Sequence, residues 1–409
     1  MIDSKPRIVI LNDFGFINGG AGNVALNSAV ELARSGYEVT VFCAVEPVDP
    51  SLNQPRLQVV CTGQQEIRSD PRRIRAAFQG LWNQKAVKAL SSLLDECDTK
   101  NTIVHAHGWT KALSSAALHT ALERDFKVVI TLHDYFLACP NGGLFDYQEQ
   151  QICHRHPLSM ACTLANCDST SYAQKLWRVG RQYVQRDISH VPGRMRHFIS
   201  VSAFSEGILR PFLPAASKIY GVPNPIDVAY APATDVAQNR GFLFVGRIAP
   251  EKGVLPMVRA AQRAGVSITL VGDGLWRERV ESCNPRARIT GWLTAEGVQQ
   301  QMRQARALVF PSLWYETQGL VVQEAAALGV PCIVSDVTAA RETVVDGGTG
   351  LWFRSGDELD LAAKMRLLED RDTVRRLGTG AYEKYWANPF TMDHHIAALE
   401  RCYEKMLLS

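Results

Sequence analysis

Two carboxylates, Glu316 and Glu324, stand eight positions apart in Glu316-Thr317-Gln318-Gly319-Leu320-Val321-Val322-Gln323-Glu324. The apolar run after Gly319 continues to Leu328 and stops at Gly329, so it reads as a loop followed by a helix starting near Gly319. The first turn of a helix carries unpaired N–H groups and partial positive charge, which hold a phosphate. Glu316 would lie beside that phosphate, and Glu324 about a turn and a half along the helix. A nucleotide sugar, with hydroxyls on both sides of a diphosphate, fits this spacing. The competing reading is a surface helix carrying two unrelated glutamates.

Further residues of the right type stand at strand ends. Gly246-Arg247-Ile248-Ala249-Pro250-Glu251-Lys252-Gly253 follows the strand-like Phe242-Leu243-Phe244-Val245. Arg247 and Lys252 are two cations between glycines that allow close backbone approach, a pattern suited to a diphosphate and equally open to solvated charge. His107 ends the run Thr102–Ala106, and His133 ends Lys127–Leu132. A polar residue just past a buried parallel strand faces a cleft, so both are site candidates, with a structural role as the alternative.

The elements that position these residues are legible as an alternation. Ile8–Leu11 reads as a buried strand, Asn18-Gly19-Gly20-Ala21-Gly22-Asn23 opens a helix ending at Gly36, and Glu38–Phe42 is the next strand. That rhythm means βαβ units and a parallel sheet, with ligands at the carboxyl ends of strands. The glycine loop lacks the G-x-G-x-x-G pattern and has no acidic residue about twenty positions on, which argues against a nicotinamide site. It is a ligand loop or a tight turn. Val222-Pro223-Asn224-Pro225-Ile226-Asp227 and the irregular stretch to Arg240 read as a crossing between domains. The pattern then restarts, with strand ends at Val271-Gly272-Asp273-Gly274 and Arg288-Ile289-Thr290-Gly291. The expected domains are residues 1–222, residues 223–388, and a final helix at 389–409, after Asn388-Pro389, returning to the first domain.

Composition sets bounds. The 409 residues include 46% hydrophobic and 21% charged, an ordinary globular balance for two domains. A net charge of +3 is too small to argue for nucleic acid. Residues 1–6 run into the first strand with no secretory signal, and no apolar run is long enough to span a bilayer. The expected setting is cytoplasmic and reducing, so the ten cysteines read as thiols or metal ligands before disulfides.

Two stretches stand outside the alternation. Residues 135–170 form an insert holding Cys139, Cys153, Cys162 and Cys167 with His154 and His156. Thiolates build tetrahedral zinc sites, although these spacings are not paired C-x-x-C. A structural zinc and plain thiols both stand as readings. Residues 68–88 carry Arg68, Arg72, Arg73, Arg75, Lys85 and Lys88 against Asp70, with Ile74, Phe78, Leu81 and Trp82 on one helical face. This is either a helix lying on an anionic membrane or a packed helix with a solvated basic face.

Taken in order, the glycine loop, the Asn224-Pro225-Ile226-Asp227 linker, the Gly246–Gly253 loop, the Val271–Gly274 turn and the glutamate pair closely resemble the retaining glycosyltransferases of family 4, over nearly the whole chain. The resemblance implies the GT-B fold, an α/β architecture of two Rossmann-like domains facing across a cleft. The second domain would bind a UDP- or GDP-sugar, and the first most of a glycan or lipid-linked oligosaccharide acceptor. Arg247 and Lys252 match the family's diphosphate cations, Glu316 the residue on the donor sugar's hydroxyls, and Glu324 the one on ribose. Thr317, Gln318, Gly319 and Leu320 would offer backbone N–H groups. His133 matches the histidine near the transferred sugar. Gly20 and Gly22 match the loop approaching phosphates or acceptor, and Gly246, Gly272 and Gly291 the strand ends around the nucleotide. The cysteine insert, with Tyr172…Leu176-Trp177-Arg178, resembles a subset associated with surface-polysaccharide assembly. The activity implied is retaining hexosyl transfer in polysaccharide, lipopolysaccharide or exopolysaccharide biosynthesis, without a metal for chemistry, by an enzyme visiting the inner membrane face. The rival from another class is an inactive GT-B partner subunit that binds a nucleotide.

Overall fold

In the computed structural model, which describes residues 5–408, the chain divides into two compact units. The first comprises the chain up to Gly143, Arg155–Pro223 and Met392 onward. The second comprises Leu144–His154 and Asn224–Thr391.

The strands of the first unit are β1 (Arg7–Leu11), β2 (Val39–Cys43), β3 (Leu57–Cys61), β4 (Thr102–Ala106) and β5 (Lys127–Thr131). A short antiparallel hairpin, β6 (Phe145–Asp146) and β7 (Gln151–Ile152), comes next in sequence. After it the first unit's strands resume with β8 (His197–Ser200) and β9 (Lys218–Gly221). They form one seven-stranded sheet in the order β3-β2-β1-β4-β5-β8-β9, and every pair is parallel. Strands buried on both faces need apolar residues at successive positions, which is why Ile8–Leu11 has no polar alternation. The order reverses between β1 and β4, so the loops after these strands diverge and open a crevice at their carboxyl ends.

The final helix, Met392–Leu407, closes the first unit's core. Ile396, Leu399, Cys402, Tyr403 and Met406 pack with Ile8, Ile10 and Val41 of the sheet. The Nε2 of His395 lies 3.0 Å from Ser28 Oγ, and its Nδ1 lies 2.8 Å from the Pro223 carbonyl.

The second unit holds β10 (Phe242–Val245), β11 (Ile268–Val271), β12 (Arg288–Gly291), β13 (Ala307–Phe310), β14 (Cys332–Ser335) and β15 (Gly350–Phe353). They form a parallel sheet in the order β12-β11-β10-β13-β14-β15, with the reversal between β10 and β13. Both units are therefore doubly wound α/β sheets.

Residues 68–88 are not one helix. The structure has helices over Arg73–Leu81 and Gln84–Asp95, with Trp82 extended between them. Asn83 is the reason. Its side chain accepts from the Ala86 N–H at 3.0 Å and caps the second helix, while its own N–H donates to Ser114 Oγ at 2.9 Å. Gly80 turns the first helix against Trp177, where an added Cβ would lie 2.5 Å from the indole. Ile74 and Phe78 face outward, 77% and 68% exposed.

Candidate functional site

The second unit's reversal point gathers the charged residues. The loop after β10 and the loop after β13 meet at Gly253, whose φ is +66° and whose missing Cβ would sit 2.0 Å from the Pro311 carbonyl oxygen. Only glycine permits that approach. It brings Lys252 Nζ to 2.6 Å from Glu316 Oε1, and the Ser312 hydroxyl donates to the same carboxylate oxygen at 2.8 Å. Lys252 also lies over the Trp314 ring, 5.2 Å from its centroid. Burial alone would raise the Glu316 carboxyl, but Lys252, Trp314 and Ser312 outweigh it and hold the group below the ordinary carboxylate range. Glu316 is thus an ionised acceptor and Lys252 a paired cation.

Arg247 is paired differently. Its Nη2 donates to Glu251 Oε1 at 2.7 Å, with Glu251 buried and the guanidinium 59% exposed. Both cations therefore have a carboxylate that fixes their place and leaves further N–H donors for a ligand.

The helix Leu320–Ala327 follows Gly319, and no side chain caps its start. Leu320 is its first residue, and Thr317 and Gln318 lie in the loop before it. The Gln318 side chain is buried and tied to Asn224, accepting from its N–H at 2.9 Å and donating to its carbonyl at 3.2 Å. Any ligand contact there would come from its backbone. Glu324 is partly buried, and burial followed by the charge of Asp227 pushes its carboxyl above the ordinary range. The turns after β11 and β12 are laced together. Gly272 donates to the Gly291 carbonyl at 2.9 Å, and Gly246 donates to Val271 at 2.9 Å. At φ +134°, Gly272 approaches so closely that a Cβ would lie 2.0 Å from the Gly246 carbonyl oxygen.

The first unit collects a second group at its own reversal point. Gly20 and Gly22 open the helix Gly20–Arg34 after β1, with Gly20 exposed and Gly22 buried. His107 follows β4 and His133 follows β5, with His107 Nδ1 2.9 Å from His133 Nε2. Burial and the neighbouring His395 lower His133 to about 3. His105, on β4, lies 2.7 Å from Tyr403 OH through Nδ1 and 2.7 Å from Thr131 Oγ1 through Nε2. Burial, with His133 and His395, lowers it to about 3 as well.

Three charged residues of this region carry no sequence motif. Asp13 accepts from the backbone N–H groups of Lys111, Ala112 and Leu113 at 2.8–2.9 Å, and so shapes the loop after β4. Asp134 is raised to about 6 by burial, against the Phe136 N–H and Arg181. Arg181 donates to the Thr110 and Pro140 carbonyls and stacks 4.9 Å from the Phe136 ring. Burial, with Arg178 nearby, lowers it to about 10. Their partners are mostly backbone groups, which leave no trace in residue spacing.

Of the two readings of the cysteine insert, the zinc site finds no support among the described residues. Among the described residues no group of three or more His, Cys, Asp or Glu side chains is placed to hold a metal ion. The ammonium of Lys175, wholly buried, sits among the thiols and donates to Cys162 Sγ at 3.5 Å. Burial would lower it, but Cys167, Cys162 and Cys139 around it outweigh burial and hold it above its ordinary value. A cation from the helix Tyr172–Tyr183 thus takes the place that a metal would need. Cys153 closes the β6–β7 hairpin, its N–H donating to Leu144 at 2.8 Å.

Two doubly wound units, each with its candidate residues at the strand reversal, define the GT-B class. Solved structures agree on the fold. Sucrose-phosphate synthase from Thermosynechococcus elongatus aligns with TM-score 0.72 at 20% identity, covering 99% of this chain and all of its own. HepE of Anabaena, in complex with UDP and glucose, aligns with TM-score 0.66 at 17% identity, covering 98% and 100%. Residues 18–230 match the family described as Glycosyltransferase Family 4, and residues 239–370 the one described as Glycosyl transferases group 1. The chain belongs to glycosyltransferase family 4. The glycogen synthase of Mycobacterium tuberculosis is 26% identical over 393 residues, 90% of this chain and 86% of its own. A GDP-mannose-dependent alpha-mannosyltransferase of Mycolicibacterium smegmatis is 36% identical over 140 residues, 34% of this chain and 36% of its own.

Proposed function

We propose that this protein transfers a hexosyl group from a UDP- or GDP-sugar to a glycan or lipid-linked acceptor with retention of anomeric configuration. The observation that carries the reading is the Lys252–Glu316 pair at the reversal point of the second sheet. Lys252 and Arg247 serve the diphosphate, Glu316 accepts from donor-sugar hydroxyls, Glu324 accepts from ribose, and the uncapped start of Leu320–Ala327 faces phosphate oxygens. Gly246, Gly272 and Gly291 let the nucleotide approach the strand ends, and Thr317, Gln318 and Gly319 offer backbone N–H groups. Relatives of both nucleotide classes support leaving the base open: HepE binds UDP, and the mycobacterial mannosyltransferase depends on GDP-mannose.

In this reaction the acceptor oxygen attacks the sugar's anomeric carbon on the face that the diphosphate leaves. The C–O bond to phosphate breaks as the new C–O bond forms, and the acceptor's proton passes to the departing phosphate oxygen. Charge develops on that oxygen, and preplaced cations stabilise it most where water is excluded. His133 and the Gly20–Gly22 loop belong to the acceptor and transferred sugar. A place in surface-polysaccharide assembly fits the cysteine insert. Contact with an anionic membrane fits the outward Ile74 and Phe78, which share their helix with exposed Arg73 and Arg75.

The test is donor binding and turnover. UDP-, GDP- and ADP-sugars are compared by thermal shift, and Lys252→Ala and Glu316→Ala are assayed for transfer and donor hydrolysis. One nucleotide class should stabilise the wild type. The expected loss of turnover is about a hundredfold or more in each variant, the scale of removing a group that stabilises developing charge. Near-normal rates in both variants would defeat the assignment.

A further inference from the structure

His107 and His133 follow neighbouring parallel strands, β4 and β5. Their rings lie 5.2 Å apart at 28°, with His107 Nδ1 2.9 Å from His133 Nε2. One nitrogen of this pair must donate, and the surroundings of His107 decide which. The His107 ring is 3% exposed, and its Nε2 is buried without a hydrogen-bond partner. Burial first, then the nearby His105, His133 and His395, keeps the ring neutral, so it carries a single N–H. A proton on Nε2 would be a buried donor with nothing to receive it, which folded interiors avoid more strictly than an unused acceptor. On Nδ1 the same proton is received by His133. His105 cannot offer an alternative, because both its nitrogens are engaged by Tyr403 and Thr131. Its ring instead lies 4.1 Å from the His107 ring and fixes that ring's plane.

We infer that His107 is a positioning residue whose Nδ1–H donates to His133 Nε2 and holds His133 as its Nδ1-protonated tautomer. His133 then enters the reaction as a neutral ring with its proton on Nδ1, and with Nε2 already accepting from His107 it cannot take the acceptor's proton there. The final helix supports this tautomer from behind, through Tyr403 and His105. The catalytic part of the inference rests on His133 belonging to the transfer site proposed above.

The test reads the tautomer directly. In the full-length protein labelled with 15N-histidine, long-range proton–nitrogen NMR should show His133 protonated at Nδ1 and bare at Nε2. His107→Asn places an amide N–H near the lost Nδ1–H and should keep that pattern. His107→Leu should give His133 as a mixture of tautomers. In the same variants, His107→Leu should lower kcat by up to about a hundredfold, the scale of misplacing a reacting group, with donor KM nearly unchanged. His107→Asn should restore most of the rate. A His133 protonated at Nε2 in the wild type, or an unchanged tautomer in His107→Leu, overturns the inference; the wild-type spectrum decides even if the leucine variant does not fold. His133→Ala is assayed separately. Full turnover there overturns the site assignment and the catalytic role of His107 with it, while the spectrum still decides the hydrogen bond.

Discussion

Glu316 and Glu324 are both withdrawn from water, yet their neighbours drive them apart. Glu316 meets a cation and a hydroxyl, and its carboxyl is held down despite burial. Glu324 meets burial and a second acid, Asp227, and its carboxyl is pushed up. The signs for stability follow by linkage. A lowered pKa in the folded state gives Glu316 a stabilising contribution above its unfolded value, lost as pH falls through the folded one. A raised pKa makes ionised Glu324 a cost above its folded value, relieved as pH falls through it. Glu316→Gln should therefore lower Tm at neutral pH, by the equivalent of about 1–3 kcal/mol for a part-buried partner lost. Glu324→Gln should raise Tm. Both differences from wild type should shrink on acidification. Melting curves at neutral and acidic pH check this, and a neutral-pH Tm below wild type for Glu324→Gln would refute it. If Glu324 binds ribose, the stabler variant should bind donor more weakly, the usual exchange of stability for a site.

At the scale of elements, what could be read in the sequence was what repeats locally. Runs such as Ile8–Leu11 and Phe242–Val245 declare buried parallel strands because both faces must be apolar. The glutamate pair and the loop holding Arg247 and Lys252 were visible as separate motifs. Their meeting was not, because Lys252 and Glu316 are joined by the approach of Gly253 to Pro311 across the sheet. The break at Trp82 was hidden because Asn83 takes its capping role together with Ser114, far along the chain. The spacing of the insert cannot choose between zinc and plain thiols for the same reason, since the cation among its thiols comes from a later helix. Gly253→Ala tests the first of these couplings. Its added Cβ collides with backbone, which cannot rotate away, so the loop must move. The expected result is a folded protein with lowered Tm and donor affinity reduced nearly as far as in Lys252→Ala. Donor affinity equal to wild type would mean that the loop's position does not matter to binding.

For the whole molecule, the net charge of +3 conceals a concentration. Arg68, Arg72, Arg73 and Arg75 are exposed within eight residues, and Asp70, the acid among them, is buried and pairs with Arg72 at 3.6 Å. Ile74 and Phe78, four apart, lie on one outward side of the helix whose Gly80 packs on Trp177. Among the described residues no helix is long and apolar enough to cross a membrane. Basic residues near an anionic surface each contribute about 1 kcal/mol, which gives Arg68, Arg73 and Arg75, the three not paired with Asp70, about 3 kcal/mol before the two apolar side chains insert. That is enough for reversible binding and too little for anchoring. The protein should co-sediment with vesicles containing anionic lipid at low salt and be released as salt rises. It should ignore vesicles of zwitterionic lipid alone. Replacing both Ile74 and Phe78 by Asp should abolish binding without touching turnover on a soluble acceptor. A protein that stays in solution with anionic vesicles at low salt would remove the membrane from the proposal, and the exposed Ile74 and Phe78 would then need another occupant.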